Sequence, residues 1–320
     1  MPITGSFIAF LASICWAICA FPFTKAGRSM SVASMNLVRL VIGTLLVMLV
    51  ALVVDHKNFN AIFSSQYLQA WLWLGASGII AIAIGDYLSY SMYTILGART
   101  GSALATISPA ASFLFGIVYL DEHMNLVGLG GMVITIMGVL SMSLGKTERK
   151  ALPDHGHGSI FKGIILGVLG SLCNGAGIVF SKKAFILQQE SGNPINPLVG
   201  SFIRFLIATV IVVLITFFNK KLYAHWKNIR KQPFNIKSAV LIGIIFGPVL
   251  GVSFSLTSIQ YIHVAVAQTI FALVPVIALI IAHFVYKEKI TRYAMAGVLV
   301  AIAGVAILIW REDVGAWIGL

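Results

Sequence analysis

The chain has 320 residues, of which 59% are hydrophobic and only 10% are charged. Soluble globular domains carry about 25% charged residues, so this composition excludes an ordinary soluble domain and predicts an integral membrane protein. The formal net charge is +12, but most of the Lys and Arg residues lie in short connectors between apolar runs. There they indicate orientation in a membrane rather than nucleic-acid binding.

Apolar segments long enough to cross a bilayer, about 20 residues each, follow one another along the whole chain. In the first half they cover about residues 5–24, 33–54, 68–94, 98–119 and 125–144. In the second half they cover about residues 160–182, 197–218, 237–260, 263–286 and 291–310. We therefore predict an all-α integral membrane protein with ten transmembrane helices, joined by polar connectors of which 145–159 and 219–236 are the longest.

The second half of the sequence repeats the first. Gly85–Glu122 returns 166 residues later as Gly251–Glu288, and Pro109 matches Pro275 without a gap. Outer segments match too: SICWAICAFPFTKA (13–26) with SLCNGAGIVFSKKA (171–184), and NLVRLVIGT (36–44) with SFIRFLIAT (201–209).

This duplication divides the chain into two units, residues 1–150 and 151–320, each with five predicted helices. An odd number of helices makes the second unit enter the membrane from the opposite side. The result is a pair of inverted repeats, which is typical of secondary transporters with a central substrate site.

The basic residues predict the orientation. They concentrate in the connectors after the odd-numbered helices, above all in NKKLYAHWKNIRK at 219–231. The other side holds only Lys57, Lys182, Lys183 and Arg311. The positive-inside rule then places both termini on the non-cytoplasmic side of what we expect to be a bacterial inner membrane.

The expected partners are the lipid bilayer and a small-molecule substrate, without nucleic acid. Glycine pairs such as Gly163 and Gly167 serve packing within one chain, as expected of a monomer.

Two prolines predict interruptions in the membrane. Pro109 and Pro275 lie near the centres of the fourth and ninth segments, where each removes a backbone donor and frees the carbonyl four residues earlier, at Ala105 or Phe271. Paired breaks in inverted halves point to a central site with gating helices. The alternative is a simple packing kink.

Polar residues near the prolines recur at helical spacing on matching segments. The predicted substrate-binding set is Trp16, Tyr87, Ser91, Ser102, Thr106, Asn174, Ser253, Thr257, Gln268 and Phe271. Polar side chains in a span must face protein or water, so one shared cavity accounts for them. The alternative is ordinary hydrogen bonding between helices, which small hydroxyls supply routinely.

Charged residues within the segments are few. Arg39 and Arg204 are repeat mates, whereas Asp86 has no acidic mate because Val252 takes its place. We expect these charges to support the structure rather than to bind substrate, with Asp86 pairing with Arg99 at the turn between the third and fourth helices.

Neither a cofactor nor a metal is expected. Asp154, His155 and His157 lie in a polar connector without further ligands. The sequence contains neither a GxxxxGK[ST] phosphate loop nor an HExxH motif. We therefore do not expect an enzyme, and we expect no direct use of ATP.

The stretch GDYLSYSMYTILGARTGSALATISPAASFLFGIVYLDE at 85–122 carries a family resemblance. Its Gly-Asp pair, Gly-Ala-Arg turn, mid-helix proline and final glutamate resemble the EamA-type transporters of the drug/metabolite transporter superfamily, and the resemblance covers about residues 5–310. It implies ten helices, a substrate cavity between inverted halves, alternating access and export of metabolites such as amino acids.

The first segment bears on the substrate. The small four-helix multidrug relatives use a glutamate in their first helix to exchange protons for cationic drugs, whereas GSFIAFLASICWAICAFPFT at 5–24 contains no acid. A zwitterionic or anionic metabolite is therefore predicted, and a quaternary cation is the alternative.

Overall fold

A computed structural model describes residues 2–27, 29–143, 160–287 and 291–318, without the side chains of 2, 97–100, 102, 103, 143, 286 and 315–318. Within these ranges the regular structure is entirely helical. The α-helices are α1 Pro2–Gly27, α2 Val32–Val54, α3 His56–Ala61, α4 Leu68–Ser77, α5 Asp86–Ala105, α6 Ile107–Leu120, α7 Leu126–Ser143, α8 Ile160–Glu190, α9 Pro197–Phe218, α10 Leu222–Arg230, α11 Phe234–Ile244, α12 Val252–Ser258, α13 Val264–Phe271, α14 Val274–Tyr286, α15 Arg292–Ile309 and α16 Arg311–Ile318.

The helices confirm a polytopic membrane protein. In the described ranges, eight helical stretches are long and apolar enough to cross a bilayer, and Ile107–Leu120 and Leu126–Met142 are apolar but shorter. The number of ten crossings therefore stays a prediction.

The third and fourth predicted segments are connected differently from expectation. The turn predicted near Arg99 is helical, because α5 continues from Asp86 to Ala105. The chain nevertheless reverses direction there, since Leu96 packs on Gly163 of α8, whereas Met92 and Leu104 both pack on Gly167.

Two π-helical segments were not predicted. Gly78–Gly85 joins α4 to α5, and Ile245–Gly251 joins α11 to α12 at the equivalent place in the second repeat. Pro248 lies inside the second one. Single-turn π segments within α-helices are frequent at functional sites, because they displace the side chains and carbonyls that follow.

The two repeats exchange helices. Helix α1 of the first repeat packs on α11 to α14 of the second, and α8 of the second repeat packs on α4, α5 and α6 of the first. Helices α2 and α9 pack on each other, as do α7 and α15. Thr44 and Thr209, which are repeat mates, meet between α2 and α9 with their hydroxyl oxygens 2.7 Å apart. The contact between these mates lies where a two-fold axis relating the repeats would pass.

The connectors gather at two opposite ends of the bundle. At one end the side chain of Asn196 donates to Asp55 at 3.0 Å, and Asn125 donates to the Arg311 carbonyl at 3.2 Å. At the other end Gln232 donates to the Ser29 carbonyl at 3.1 Å. The predicted polar connector 219–236 lies at this second end and contains helix α10, which was not predicted.

Candidate functional site

Pro109 and Pro275, near which we predicted helix interruptions, both lie beside such interruptions. Helix α5 ends at Ala105 and α6 begins at Ile107, so Pro109 lies in the first turn of the new helix. In the second repeat α13 ends at Phe271 and α14 begins at Val274, with Pro275 again in the first turn. A first-turn proline leaves no bond unmade within the helix that begins there, but it offers no N–H to the carbonyl four residues earlier, in the preceding helix. The predicted breaks are present, although each helix ends before its proline instead of bending at it.

Serines from the exchanged helices hold the interruptions. The hydroxyl of Ser13 on α1 lies 3.0 Å from the Ile270 carbonyl and 3.0 Å from the Ala9 carbonyl of its own helix, so its single proton is shared between them. The hydroxyl of Ser171 on α8 donates to the Leu104 carbonyl at 2.9 Å. Both serines are buried, and the two bonds are repeat equivalents. The Ile270 carbonyl also accepts the Leu273 N–H at 3.0 Å. Each serine therefore links an interruption to the opposite repeat.

A second equivalent pair lies close by. The indole nitrogen of Trp16 donates to the Ser255 hydroxyl at 3.2 Å, and the amide of Asn174 is 3.4 Å from the Ser89 hydroxyl. The Trp16 ring also packs on Gly251, at the end of the second π segment. Trp16 and Asn174 thus lie at helix–helix interfaces close to the π segments.

The remaining predicted substrate residues have different surroundings. Tyr87 is 48% exposed, and Ser91 is partly buried. Ser253 and Thr257 bond carbonyls of their own helix, whereas the half-buried amide of Gln268 has no side-chain bond to a described residue. Thr106 is buried at the first interruption, and Phe271 packs on the core. The side chains of Ser102 and Arg99, and residues Asp154, His155 and His157, lie outside the description.

Asp86 pairs with Arg39 on α2. The side chain of Arg99, the partner we expected, lies outside the description, so that pairing stays a prediction. The Arg39 guanidinium donates to the Asp86 carboxylate at 2.7 Å and to the Asn36 side chain at 2.9 Å. It also lies 5.3 Å from the centre of the Tyr90 ring, within the range of a cation–π contact. Arg39 is only 1% exposed and the Asp86 side chain is 24% exposed, so a buried guanidinium meets a partly exposed carboxylate between α2 and α5.

Arg204, the repeat mate of Arg39, has no such partner. It is 5% exposed, and its Nε is enclosed without a hydrogen bond. Among the described residues no side-chain hydrogen bond or ion pair reaches its guanidinium, and Asp86 is the acid close enough to act on it electrostatically. The two arginines, alike in sequence, therefore differ in charge balance.

A further charged cluster joins the repeats at one end of the bundle, where Glu122 lies outside the spans and Lys182 lies on α8. The Glu122 carboxylate lies 2.6 Å from the Lys182 ammonium and 3.6 Å from Nδ1 of His263, and it accepts the Val264 N–H at 2.8 Å. Burial raises the pKa of Glu122, but His263 and Lys182 lower it by more, so its pKa lies below the ordinary 4.5. Lys182 also donates to the Ile262 carbonyl at 2.8 Å.

Two surface pockets lie away from the predicted site. They have volumes of about 400 and 460 Å³ and are lined by residues at the end of α9 and along α10. Neither is lined by a predicted substrate residue.

Removal of either interruption-holding serine tests this geometry. We expect Ser13→Ala and Ser171→Ala each to cost about 1 kcal/mol of unfolding free energy, because each removes a hydrogen bond between the repeats. The Ile270 carbonyl keeps the Leu273 N–H at 3.0 Å, so the loss at Ser13 should not exceed that at Ser171. Thr24→Ala is the control, since this exposed α1 hydroxyl bonds only within its own helix. Equal melting temperatures for all three variants and the wild type would contradict the assignment.

The whole chain can be placed in a family. A family profile described as the EamA-like transporter family matches residues 3–144 and 161–310, one match for each repeat. The chain therefore belongs to the EamA-like transporter family, which is part of the drug/metabolite transporter superfamily. The family resemblance read from residues 85–122 is confirmed.

Other comparisons agree on the fold and say little about the substrate. A solved crystal structure aligns with 97% of this chain and 98% of its own, with a TM-score of 0.68 and 16% identity. A curated relative, the magnesium transporter NIPA3 of Pongo abelii, is 28% identical over 73 residues. That match covers 23% of this chain and 17% of the relative.

Proposed function

We propose that the protein is a secondary exporter of small polar metabolites, such as amino acids and related zwitterions or anions. The observation that carries the proposal is the pair of equivalent helix interruptions, each held by a serine of the opposite repeat. Broken helices at membrane depth in two inverted repeats are the usual setting of a transporter's substrate site. The predicted residues Gln268, Trp16 and Tyr87 remain candidates for that site.

The proposed topology has ten crossings, the two shorter helices α6 and α7 included. An even number puts both termini at one end, in agreement with the contact between Asn125 and the Arg311 carbonyl. The basic helix α10 and the loop at Ser29 share the opposite end, which we assign to the cytoplasm of a bacterial cell. Alternating access would then rock one set of helices against the other, with α5–α6 and α13–α14 flexing at their interruptions.

We do not extend magnesium transport to this chain. Mg²⁺ is bound through carboxylates and water, and the described residues contain no group of three or more His, Cys, Asp or Glu side chains suited to a metal. Asp86, the acid in the third predicted segment, is already paired with Arg39.

Flux into proteoliposomes tests the proposal. The purified protein is reconstituted, and counterflow of labelled amino acids, organic acids, quaternary cations and Mg²⁺ is compared with that into empty liposomes. We expect counterflow of at least one amino or organic acid. Movement of quaternary cations or Mg²⁺ alone would overturn the proposed substrate class, and absence of any flux would overturn the carrier.

The prolines test the gating part of the proposal. Pro109→Ala and Pro275→Ala each restore an N–H that can bond the carbonyl four residues earlier and make the helix continuous. We expect an extra bond of about 1 kcal/mol to slow flux about fivefold to tenfold without unfolding the protein. Pro22→Ala, which changes a proline inside α1, is the matched control. Wild-type flux in both variants would end the gating assignment.

A further inference from the structure

The charges inside the predicted membrane segments are unbalanced. Asp86 is the only acidic residue within the ten predicted apolar segments, whereas Arg39 and Arg204 both lie well inside theirs. In the structure the Asp86 carboxylate pairs with the Arg39 guanidinium, with Oδ2 and Nη2 2.7 Å apart. The described part of the chain supplies Arg204 with no counter-charge in contact.

A buried arginine without a counter-charge in contact destabilises the folded protein. A guanidinium cannot lose its proton in a protein, and a buried charge without a partner is strongly unfavourable. Arg204 is 5% exposed, and no described side chain bonds its guanidinium. An unbonded Nε is common to Arg39 and Arg204, so the difference between them is the carboxylate and the amide that contact Arg39. Uncompensated charges inside membranes are kept where they serve a ligand or an ion.

The divergence of the repeats sharpens this contrast. Arg39 has Asn36, Asp86 and Tyr90 around it, and the equivalent positions in the second repeat are Ser201, Val252 and Leu256. Ser201 uses its hydroxyl on the Pro197 carbonyl of its own helix. Each group that satisfies Arg39 is therefore missing from the corresponding place beside Arg204.

Arg204 also lies where the repeats meet. The carbonyl of Arg204 contacts Gly78 so closely that a Cβ there would be 2.3 Å away, which brings α9 against the first π segment of the other repeat. A ligand held at this position would touch elements of both repeats.

We propose that Arg204 binds the carboxylate of the transported metabolite. The planar guanidinium fork matches a carboxylate with two parallel hydrogen bonds. The ligand supplies the negative charge that Val252 does not. This assignment rests on the proposed carrier function for its biological meaning, but binding can be measured without transport.

Matched variants separate a binding arginine from a structural one. Arg204→Met removes an uncompensated charge, so the ligand-free variant should unfold at the same temperature as the wild type or higher. Arg39→Met leaves Asp86 without its partner, so it should unfold at a lower temperature. A structural role for Arg204 predicts a lower temperature for both.

Binding is measured by thermal unfolding in detergent, because a ligand that binds only the folded state raises its stability. The probes are the common L-amino acids and simple organic acids, each beside its amide. We expect at least one acid to stabilise the wild type while its amide does so at least tenfold more weakly by concentration. Arg204→Met should lose this shift, and Arg204→Lys should keep part of it.

The outcomes are distinguishable. The binding proposal is overturned if no acid stabilises the wild type, if acids and amides act alike, or if Arg204→Met keeps the shift. Arg204-dependent binding without flux in proteoliposomes would support the site and overturn the carrier. Flux with an unchanged KM in Arg204→Met would support the carrier and overturn the site.

Discussion

Replacing Asp86 with asparagine should destabilise the folded protein by about 3–5 kcal/mol, because it leaves a buried charge without its partner. Arg39 is 1% exposed and donates to Asp86 at 2.7 Å. Its other described contacts, with Asn36 and the Tyr90 ring, are to neutral groups. The guanidinium cannot neutralise itself by losing a proton, so the cost falls on the folded state.

Unfolding in mixed micelles of increasing SDS content measures this cost, and a double-mutant cycle assigns it. Arg39→Met alone should also destabilise, whereas Arg39→Met combined with Asp86→Leu should recover much of the loss, since a neutral apolar pair replaces a buried ion pair with little penalty. A control at Asp55, whose carboxylate binds Asn196 in an end connector, should cost less when changed to Asn. Additive losses at Arg39 and Asp86 would show that the two side chains do not act as a pair.

The architecture was largely predictable because its signals are strong. Apolar segments of bilayer length, an internal repeat and paired prolines each follow from constraints that act on the sequence directly. The interruptions at Thr106 and Ala272 lie within a few residues of Pro109 and Pro275. Helix continuity was harder to predict: α5 runs through the Gly-Ala-Arg motif, because sequence alone does not say whether a reversal is made in a loop or in helical turns.

The contacts of the candidate site were less predictable. Ser13 and Ser171 lie in the segments that reveal the repeat, but their bonds to Ile270 and Leu104 depend on the exchange of α1 and α8 between repeats. Lone small hydroxyls in apolar helices carry no signal of their own, because most bond a carbonyl of their own helix. Their equivalence across the repeat was the available clue.

The pairing of the charged residues was also hard to predict from the sequence. Asp86 was expected to pair with Arg99, whose side chain lies outside the description. The described partner of Asp86 is Arg39 on α2, which was not predicted. Packing between helices decides which of the two equivalent arginines, Arg39 or Arg204, contacts Asp86. The pattern Asn36–Arg39 and Asp86–Tyr90, absent from the second repeat, could have indicated the answer.

The second large loss of stability is expected on substitution of Glu122, which lies at the end of the bundle that carries the termini. Glu122→Gln keeps an oxygen that can accept the Val264 N–H but removes the charge that faces Lys182 at 2.6 Å. We expect a loss of about 2 kcal/mol, in the range of a charge-assisted hydrogen bond. Lys182 is 15% exposed and still donates to the Ile262 carbonyl in this variant. The loss of unfolding free energy should therefore be smaller than for Asp86→Asn.

The pH dependence identifies the charge as the cause. The pKa of Glu122 is lowered in the folded protein from its ordinary 4.5, so its stabilising contribution is complete above that value and is lost as the pH falls through the lowered one. The melting temperatures of wild type and Glu122→Gln should therefore differ by a constant amount near neutral pH and converge in the acid range below about 4.5. Lys182→Met should mimic Glu122→Gln, and the double variant should cost less than the sum of the two. A difference that persists unchanged down to pH 3 would show that packing, and not the Glu122–Lys182 pair, is responsible.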